Sequence, residues 1–358
     1  MSRESPKVDL DTRHREILKA IIATYVLDAE PVSSRAVAKQ GGLGLSAATI
    51  RNVMADLEDW GFLIQPHTSA GRVPTGEAYH LFIDSMMSGR GVPARHRRFV
   101  HEHLKASSED PEELMAATSH VLSELTQQVG IVVGPALGEA VLEAINFVPM
   151  SGRKVLCVVV SAAGFVDNKV IETSEPIAGE KLVEISNYLN ANFSGVSMQE
   201  IRSRILALMN EERAQMDRML STAIELAREG LRVRSVPEVR VDGASTVLGQ
   251  PELADLERVR TLMETFADRV RLVDMLNRCM SGTGLRVLIG ADSDLTSPLD
   301  FSLVATTYRV GDRPLGTLGV FGPSRMAYQR IIPLVDYVGE SLSRALDEGV
   351  ESKVRDSS

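Results

Sequence analysis

Ile50, Val53, Met54 and Leu57 recur at i, i+3, i+4 and i+7 within SAATIRNVMADLEDWG, between Ser46, a residue that caps helices, and Gly61, a residue that stops them. Such a stripe predicts one helix with a single apolar face. The segment directly after this helix constrains the fold more than any other feature of the chain. FLIQPH and RVPT are two short extended runs joined by TSAG, and together they predict a small β-hairpin. Two more helical patterns stand ahead of this pair. Over 11–28, Ile17, Leu18, Ile21, Ile22, Tyr25 and Val26 fall at helical spacing, with Asp11 as the N-cap. EPVSSRAVAKQ starts a second helix at a Ser33 cap, and GGLGL ends it, because glycines are costly inside a helix. Three helices and a hairpin within about 65 residues predict a winged helix-turn-helix, with QPHTSAGRVPT, Gln65 to Thr75, as the wing. The glycine of TSAG allows a tight tip, and Pro66 and Pro74 stiffen the strand ends and remove ladder donors. GEAYHLFIDSMMS supplies a further helix that closes this unit.

The third helix carries candidate chemistry on the face opposite its apolar stripe. Arg51 can reach a guanine edge and Asn52 an adenine edge, while Ala48 and Ala55 are small enough to let the backbone sit close to a groove. The acids Asp56, Glu58 and Asp59 are held at the other end of the helix. In the wing, Thr68, Ser69 and Arg72 offer donors to phosphate oxygens. The same residues on a bland surface helix would only be solvated; the fit of three helices and a hairpin favours reading of DNA.

Charge agrees with such a head on a different body. The net charge is −9, which argues against a chain coated in nucleic acid. Up to Lys105 there are 14 Lys and Arg against 12 Asp and Glu, and beyond it 25 against 36. Six of the seven histidines also lie in the first part. A mildly basic head on an acidic body is compatible with DNA binding by the head alone.

The remaining chain reads as strands around helices. GRGVPARHRR, with four arginines between positions 90 and 98, reads as a linker. VGIVVGPAL, VLEAINFVPM and RKVLCVVVSAAGFVDNKVI form one set of Val- and Ile-rich strands; LRVLIGAD, FSLVATTYRV and PLGTLGVFGP form another near the end, before a closing helix, SRMAYQRIIPLVDYVGESLSRAL. Between the sets, about 180 to 280, the pattern is mainly helical. QEIRSRILALMNEERAQMDRMLSTAIELAREG is one long helical run. Leu256, Val259, Met263, Phe266, Val270, Val273 and Met280 follow 3-4 spacing with Asn277 at the remaining position, which fits either a seam against another helix or an ordinary core stripe. EVRVDGASTVLG reads as a hairpin turning at Asp242-Gly243.

Little in the chain points to catalysis, a metal or a cofactor. His67 has no second ligand at a suitable spacing, and His96, His101 and His103 do not converge, since 101 and 103 project to different sides of a helix. Cys157 sits in an apolar strand and reads as core, and Cys279 has no basic neighbour but Arg278. Asp292 and Asp294 in IGADSDLTS read as turn formers. No phosphate loop, nucleophile elbow or paired-carboxylate motif is present. The polar start MSRESPKVDLDTRHRE and the shortness of VLCVVVSAAGFV as an apolar run lead to the cytoplasm as the expected compartment, without a membrane span.

SAATIRNVMADLEDWGFLIQPHTSAGRVPT together with GVFGPSRMAY resembles the HrcA family of heat-inducible transcription repressors. TIRN, the LE and G after it, PHTSAGR with PT, and GP, RM and Y occur in the family's order and bracket almost the whole chain. The resemblance implies an α+β, multidomain chain: a winged helix-turn-helix, a GAF-like α/β domain and a mainly helical dimerisation domain inserted within it. It implies repression of chaperone genes by a homodimer on an inverted-repeat operator, with a GroEL-type chaperonin keeping the repressor active. It carries DNA contacts onto Thr49, Arg51 and Asn52 of the third helix and onto His67, Thr68, Ser69 and Arg72 of the wing, with Ser46 and Ala48 beside them. One departure is that the family commonly has a glutamate shortly after the IG ending the first late strand, where this chain reads IGADSD. The expected domains are residues 1–90 for the winged helix, 91–104 for the linker, 105–179 with 281–350 for the GAF-like domain, and 180–280 for the insert. The rival expectation is a regulator that senses a small ligand through the GAF-like pocket.

Overall fold

The computed structural model describes residues 10–39, 43–67, 70–84, 91–108, 110–135, 140–198, 200–201, 203–204, 218–230, 237–248, 250–253, 256–268, 272–273, 276, 284–290, 301–311 and 313–356. The first unit holds α1 (Thr12–Asp28), α2 (Ser34–Lys39), α3 (Ala47–Asp59), β1 (Leu63–Ile64), β2 (Val73–Pro74) and α4 (Gly76–Asp84). The caps are those the sequence predicts. Asp11 accepts from the His14 backbone N–H at 2.8 Å, Ser33 Oγ from the Ala36 N–H at 3.2 Å, and Ser46 Oγ from the Thr49 N–H at 3.1 Å. Each satisfies a donor that the first helical turn leaves without an intrahelical partner. Ile17, Ile21, Ile50, Met54, Leu57 and Leu63 close the core of the head at 0–1% exposure, so helix packing and not propensity holds it together.

β1 and β2 pair antiparallel, Leu63 opposite Pro74 and Ile64 opposite Val73. Arg72 also bridges to Val32 in the α1–α2 connection, with Val32 N–H donating to Arg72 O and Arg72 N–H to Val32 O, both at 2.9 Å. This contact explains Gly71. A Cβ there would run into the carbonyls of Pro31 and Val32, so the glycine serves a close backbone approach at the root of the wing.

The region expected to be a linker is largely α5 (Ala94–Ala106), which packs on α6 (Pro111–Thr126). Gly, Pro and Arg dominate residues 90–98, but Val100 and Leu104 at i and i+4 are buried and anchor the helix. Beyond it lie β3 (Val129–Val133), β4 (Leu142–Pro149), β5 (Lys154–Ser161), β6 (Val166–Glu172), α7 (Gly179–Phe193), α8 (Arg218–Gly230), β7 (Val239–Asp242), α9 (Ala244–Val247), α10 (Leu256–Ala267), β8 (Arg286–Ile289), β9 (Phe301–Val310), β10 (Arg313–Pro323) and α11 (Tyr328–Asp356). A five-stranded antiparallel sheet runs in the order β7-β3-β10-β9-β8. Alternate residues of β3 serve opposite layers. Val132 joins α5, α6 and α11 on one face, and Val129, Ile131 and Val133 join Leu253, Leu262 and Leu276 on the other.

The inserted unit is placed differently from the expectation of 180–280. β4, β5 and β6 form a separate three-stranded meander whose inner residues, Ile145, Phe147, Val155, Cys157 and Ile171, share a core with Leu182, Ile185 and Leu189 of α7 and Leu226 of α8. The chain leaves the larger sheet just after β3 and returns at β7, where the Gly134 N–H donates to Glu238 O at 2.7 Å. The unit is therefore a sheet with helices rather than mainly helices. Both strand sets are Val- and Ile-rich, and periodicity does not say which sheet a strand joins.

EVRVDGASTVLG is not a hairpin: β7 runs through Gly243, at φ +79°, into α9, which buries Val247. Among the seam positions that are described, Val259 and Phe266 pack on the sheet while Leu256 and Met263 are exposed. Val270, Asn277, Met280, Cys279, Asp292 and Asp294 lie outside the described residues, as does 205–217 of the long helical run. Cys157 is fully buried, and burial pushes its thiol up to about 12, so it is core. Among the described residues no helix is long and apolar enough to cross a membrane, and no group of three or more His, Cys, Asp or Glu could hold a metal ion.

Candidate nucleic-acid interface

α3 buries Ile50, Val53, Met54 and Leu57 and turns Ala48, Arg51 and Asn52 outward. The helix can therefore lie with Arg51 and Asn52 toward a ligand without disturbing its packing. Among the described residues Arg51 has no carboxylate partner, so its fork of donors is open to a base edge. Ser46 and Thr49 are committed to each other: Ser46 Oγ caps the Thr49 N–H, and the two hydroxyl oxygens are 3.0 Å apart. Thr49 is half-buried, so these two start the helix and place it.

The opposite end of α3 is anchored in two ways. His14 of α1 lies 3.5 Å from Asp56 and packs tilted against Trp60, with ring centroids 4.8 Å apart. The Arg72 guanidinium donates through Nε and Nη2 to Glu58 Oε2, both at 2.8 Å, with the arginine side chain 17% exposed. Its residue type suggests a phosphate contact, and nothing local points to Glu58, fourteen residues earlier. The geometry makes Arg72 a tie between α3, the β1–β2 hairpin and, through its backbone, the α1–α2 connection.

In the wing, His67 is exposed, and the turn is closed by Ala70 N–H to His67 O at 2.8 Å and by Gln65 Nε2 to Ala70 O at 2.9 Å. Thr68 and Ser69 lie outside the described residues. Two cations escape a reading of the sequence alone. Arg35 and Lys39, i and i+4 on α2, are both exposed beside α3, and their spacing on a short helix is the signal that could have found them.

Comparison with known proteins bears on both parts of the chain. A family model described as the winged helix-turn-helix transcription repressor HrcA DNA-binding domain matches residues 9–87, and one described as the HrcA protein C-terminal domain matches residues 112–332. The heat-inducible transcription repressor HrcA of Geobacter sulfurreducens is 40% identical over 339 residues, covering 95% of this chain and 99% of that protein. The protein of the same name from Syntrophobacter fumaroxidans is 36% identical over 342 residues, covering 95% and 98%. Among solved structures, a crystal structure of a hypothetical protein at 2.2 Å resolution superposes with a TM-score of 0.63 at 26% identity, covering 95% of this chain and all of that one.

Proposed function

The chain belongs to the HrcA family of heat-inducible transcription repressors, and we propose that it represses heat-shock genes, those of chaperones and chaperonins, by binding an inverted-repeat operator as a homodimer. The observation that carries this reading is the exposed Arg51–Asn52 face on a helix capped by Ser46 and braced by Glu58–Arg72 and His14–Asp56. Ala48 allows close approach, Arg51 and Asn52 read base edges, and His67, Thr68, Ser69, Arg35 and Lys39 reach the backbone. The chain acts by occupancy and has no catalytic role. Footprinting on upstream regions of the source chromosome should protect two half-sites related by a two-fold axis. Protection of a single unpaired site, or none, would overturn the reading.

The homodimer has a candidate surface. The outer face of the β4-β5-β6 sheet carries three rows across its strands: Val148–Leu156–Val170, Asn146–Val158–Asn168 and Ala144–Val160–Val166. The rows hold no charge, and Val148, Val166 and Val170 are 47–52% exposed. The free edge of β4 is already closed by α7, whose Asn190 pairs both backbone groups of Ile145 and whose Ser186 accepts from Phe147 N–H. Face-to-face packing with a second copy is therefore the geometry open to this sheet.

A chaperonin of the GroEL type keeps the repressor competent in this reading. β3 pairs β10 with Val129 opposite Phe321 and Val133 opposite Thr317, so the larger sheet closes only between strands more than half the chain apart. Pairing across a separation of more than half the chain folds slowly and exposes apolar strands on the way. After mild heating, operator binding should recover several-fold further with chaperonin and ATP than without, and equal recovery would remove the chaperonin from the account.

Arg72→Ala should weaken cognate and scrambled duplexes alike and lower stability by ~0.5–1 kcal/mol, as expected for a partly exposed ion pair. Because Glu58 already neutralises the guanidinium, the salt dependence of binding should change by clearly less than the ~0.9 in slope that a lost phosphate contact gives. A full-unit change in slope, measured across a salt series, would restore Arg72 to the phosphate.

A further inference from the structure

Where the chain passes from the head to the body, a cavity of about 280 Å³ opens between the start of α5, the end of α6 and the start of α11. Val92, Leu125, Ile331 and Leu334 give it an apolar wall, and His96 and Arg330 give it a polar one. No Asp or Glu lines it, and among the described residues no carboxylate pairs with Arg330. Thr126, also at the wall, spends its hydroxyl proton on Leu122 O. The N-terminus of α5 borders the same space, and its cap position, Pro93, provides no side-chain bond. Burial, with Arg95 and Arg330 adding repulsion, holds the His96 imidazole below its ordinary range, and the Arg330 charge at the wall has no counter-ion among the lining residues.

The position of the cavity gives its occupancy a consequence. Gly91, Val92 and Pro93 belong to the segment that joins α4 to α5. The other wall continues into Arg325 and Tyr328, which hold the head from the body side. The Arg325 guanidinium donates to Glu252 at 2.5 and 3.2 Å, to Gln250 at 2.7 Å and to Val26 O, near the end of α1, at 3.3 Å. The Tyr328 ring lies 5.5 Å from that of Tyr79 in α4. The connecting segment thus lines the cavity, and the Arg325 and Tyr328 contacts to the head lie within a turn of its α11 wall.

We propose that this cavity is an effector site for a small organic anion, a carboxylate with a short alkyl body, and that its occupancy sets the operator affinity of the head. The carboxylate meets Arg330, His96 and the start of α5, and the alkyl body lies on Leu125, Ile331 and Leu334. The site goes beyond the repressor reading, because it gives the chain a second input that needs no partner protein.

The test uses the full chain, with valerate, its neutral amide valeramide, and inorganic phosphate as probes. The readout is the proton resonance of His96, assigned by its loss in His96→Gln. The charged groups facing His96 are Arg95 on its own helix and Arg330 on α11, and the α6 wall offers only Leu125 and Thr126. Valerate should saturate and move the His96 titration upward, and valeramide should do neither. Arg330→Gln should weaken valerate about ten-fold or more, Arg330→Lys less, as for loss of a charge-assisted hydrogen bond. Arg330 is exposed, so neither variant should change the thermal melt. Equal binding of valeramide, or no effect of Arg330→Gln, would overturn the site, and phosphate binding as tightly as valerate would overturn the alkyl subsite. Saturating valerate should also shift operator affinity about fivefold or more in the wild type and not in Arg330→Gln. Binding without that shift would overturn the coupling. The resonance arm contains no DNA, so failure of the operator reading leaves it intact.

Discussion

Val158→Asp, at the centre of the uncovered face of the smaller sheet, should separate the protein into monomers and weaken operator binding by ~10²–10⁴-fold, the factor lost when a second linked contact becomes independent. Val158 stands between Asn146 and Asn168 on the outer face, while its neighbours Cys157 and Val159 point into the core with α7 and α8. The fold of the unit should therefore survive the change. In a face-to-face dimer the new carboxylate would be buried without a partner in each copy, at an effective cost of several kcal/mol per ion. Sedimentation should report half the wild-type mass with an unchanged circular dichroism spectrum. Val158→Thr, which adds no charge, should remain dimeric. A Val158→Asp protein that stays dimeric would move the interface to another surface, with the exposed Leu256 and Met263 of α10 the next to test.

Arg51→Ala is expected to be the next largest loss. A guanidinium reading a guanine edge is worth ~1–3 kcal/mol at one base pair, and a dimer carries two copies. Because Arg51 is exposed and leaves the Ile50, Val53, Met54 and Leu57 stripe untouched, its removal should not lower the melting temperature. Discrimination at the affected base pair should fall while binding to unrelated duplexes persists.

The head of the molecule was legible because its signals are local. Asp11, Ser33 and Ser46 cap the helices they precede, and the 3-4 stripe of α3 faces the core. The body was less so. Val129–Val133 and Val155–Ser161 look alike as sequence, yet one strand lies between two layers of a sheet finished almost two hundred residues later, and the other belongs to a local meander. α5 was hidden because Gly91, Pro93 and its arginines outweigh the two buried residues that define it. The role of Arg72 was hidden by distance along the chain: its type suggested phosphate, and only the fold brings Glu58 to it. Arg325 illustrates the same limit, since GPSRMAY stands out in the sequence but its partners Val26, Gln250 and Glu252 come from two remote segments.

Gel shifts of wild type and Arg51→Ala on operator and scrambled duplexes at matched salt decide whether the outward face of α3 reads sequence. Arg51→Ala should lose affinity for the operator by about 1–3 kcal/mol per half-site while its affinity for the scrambled duplex stays within a small factor. Equal losses on both duplexes would make Arg51 a phosphate contact and contradict that reading.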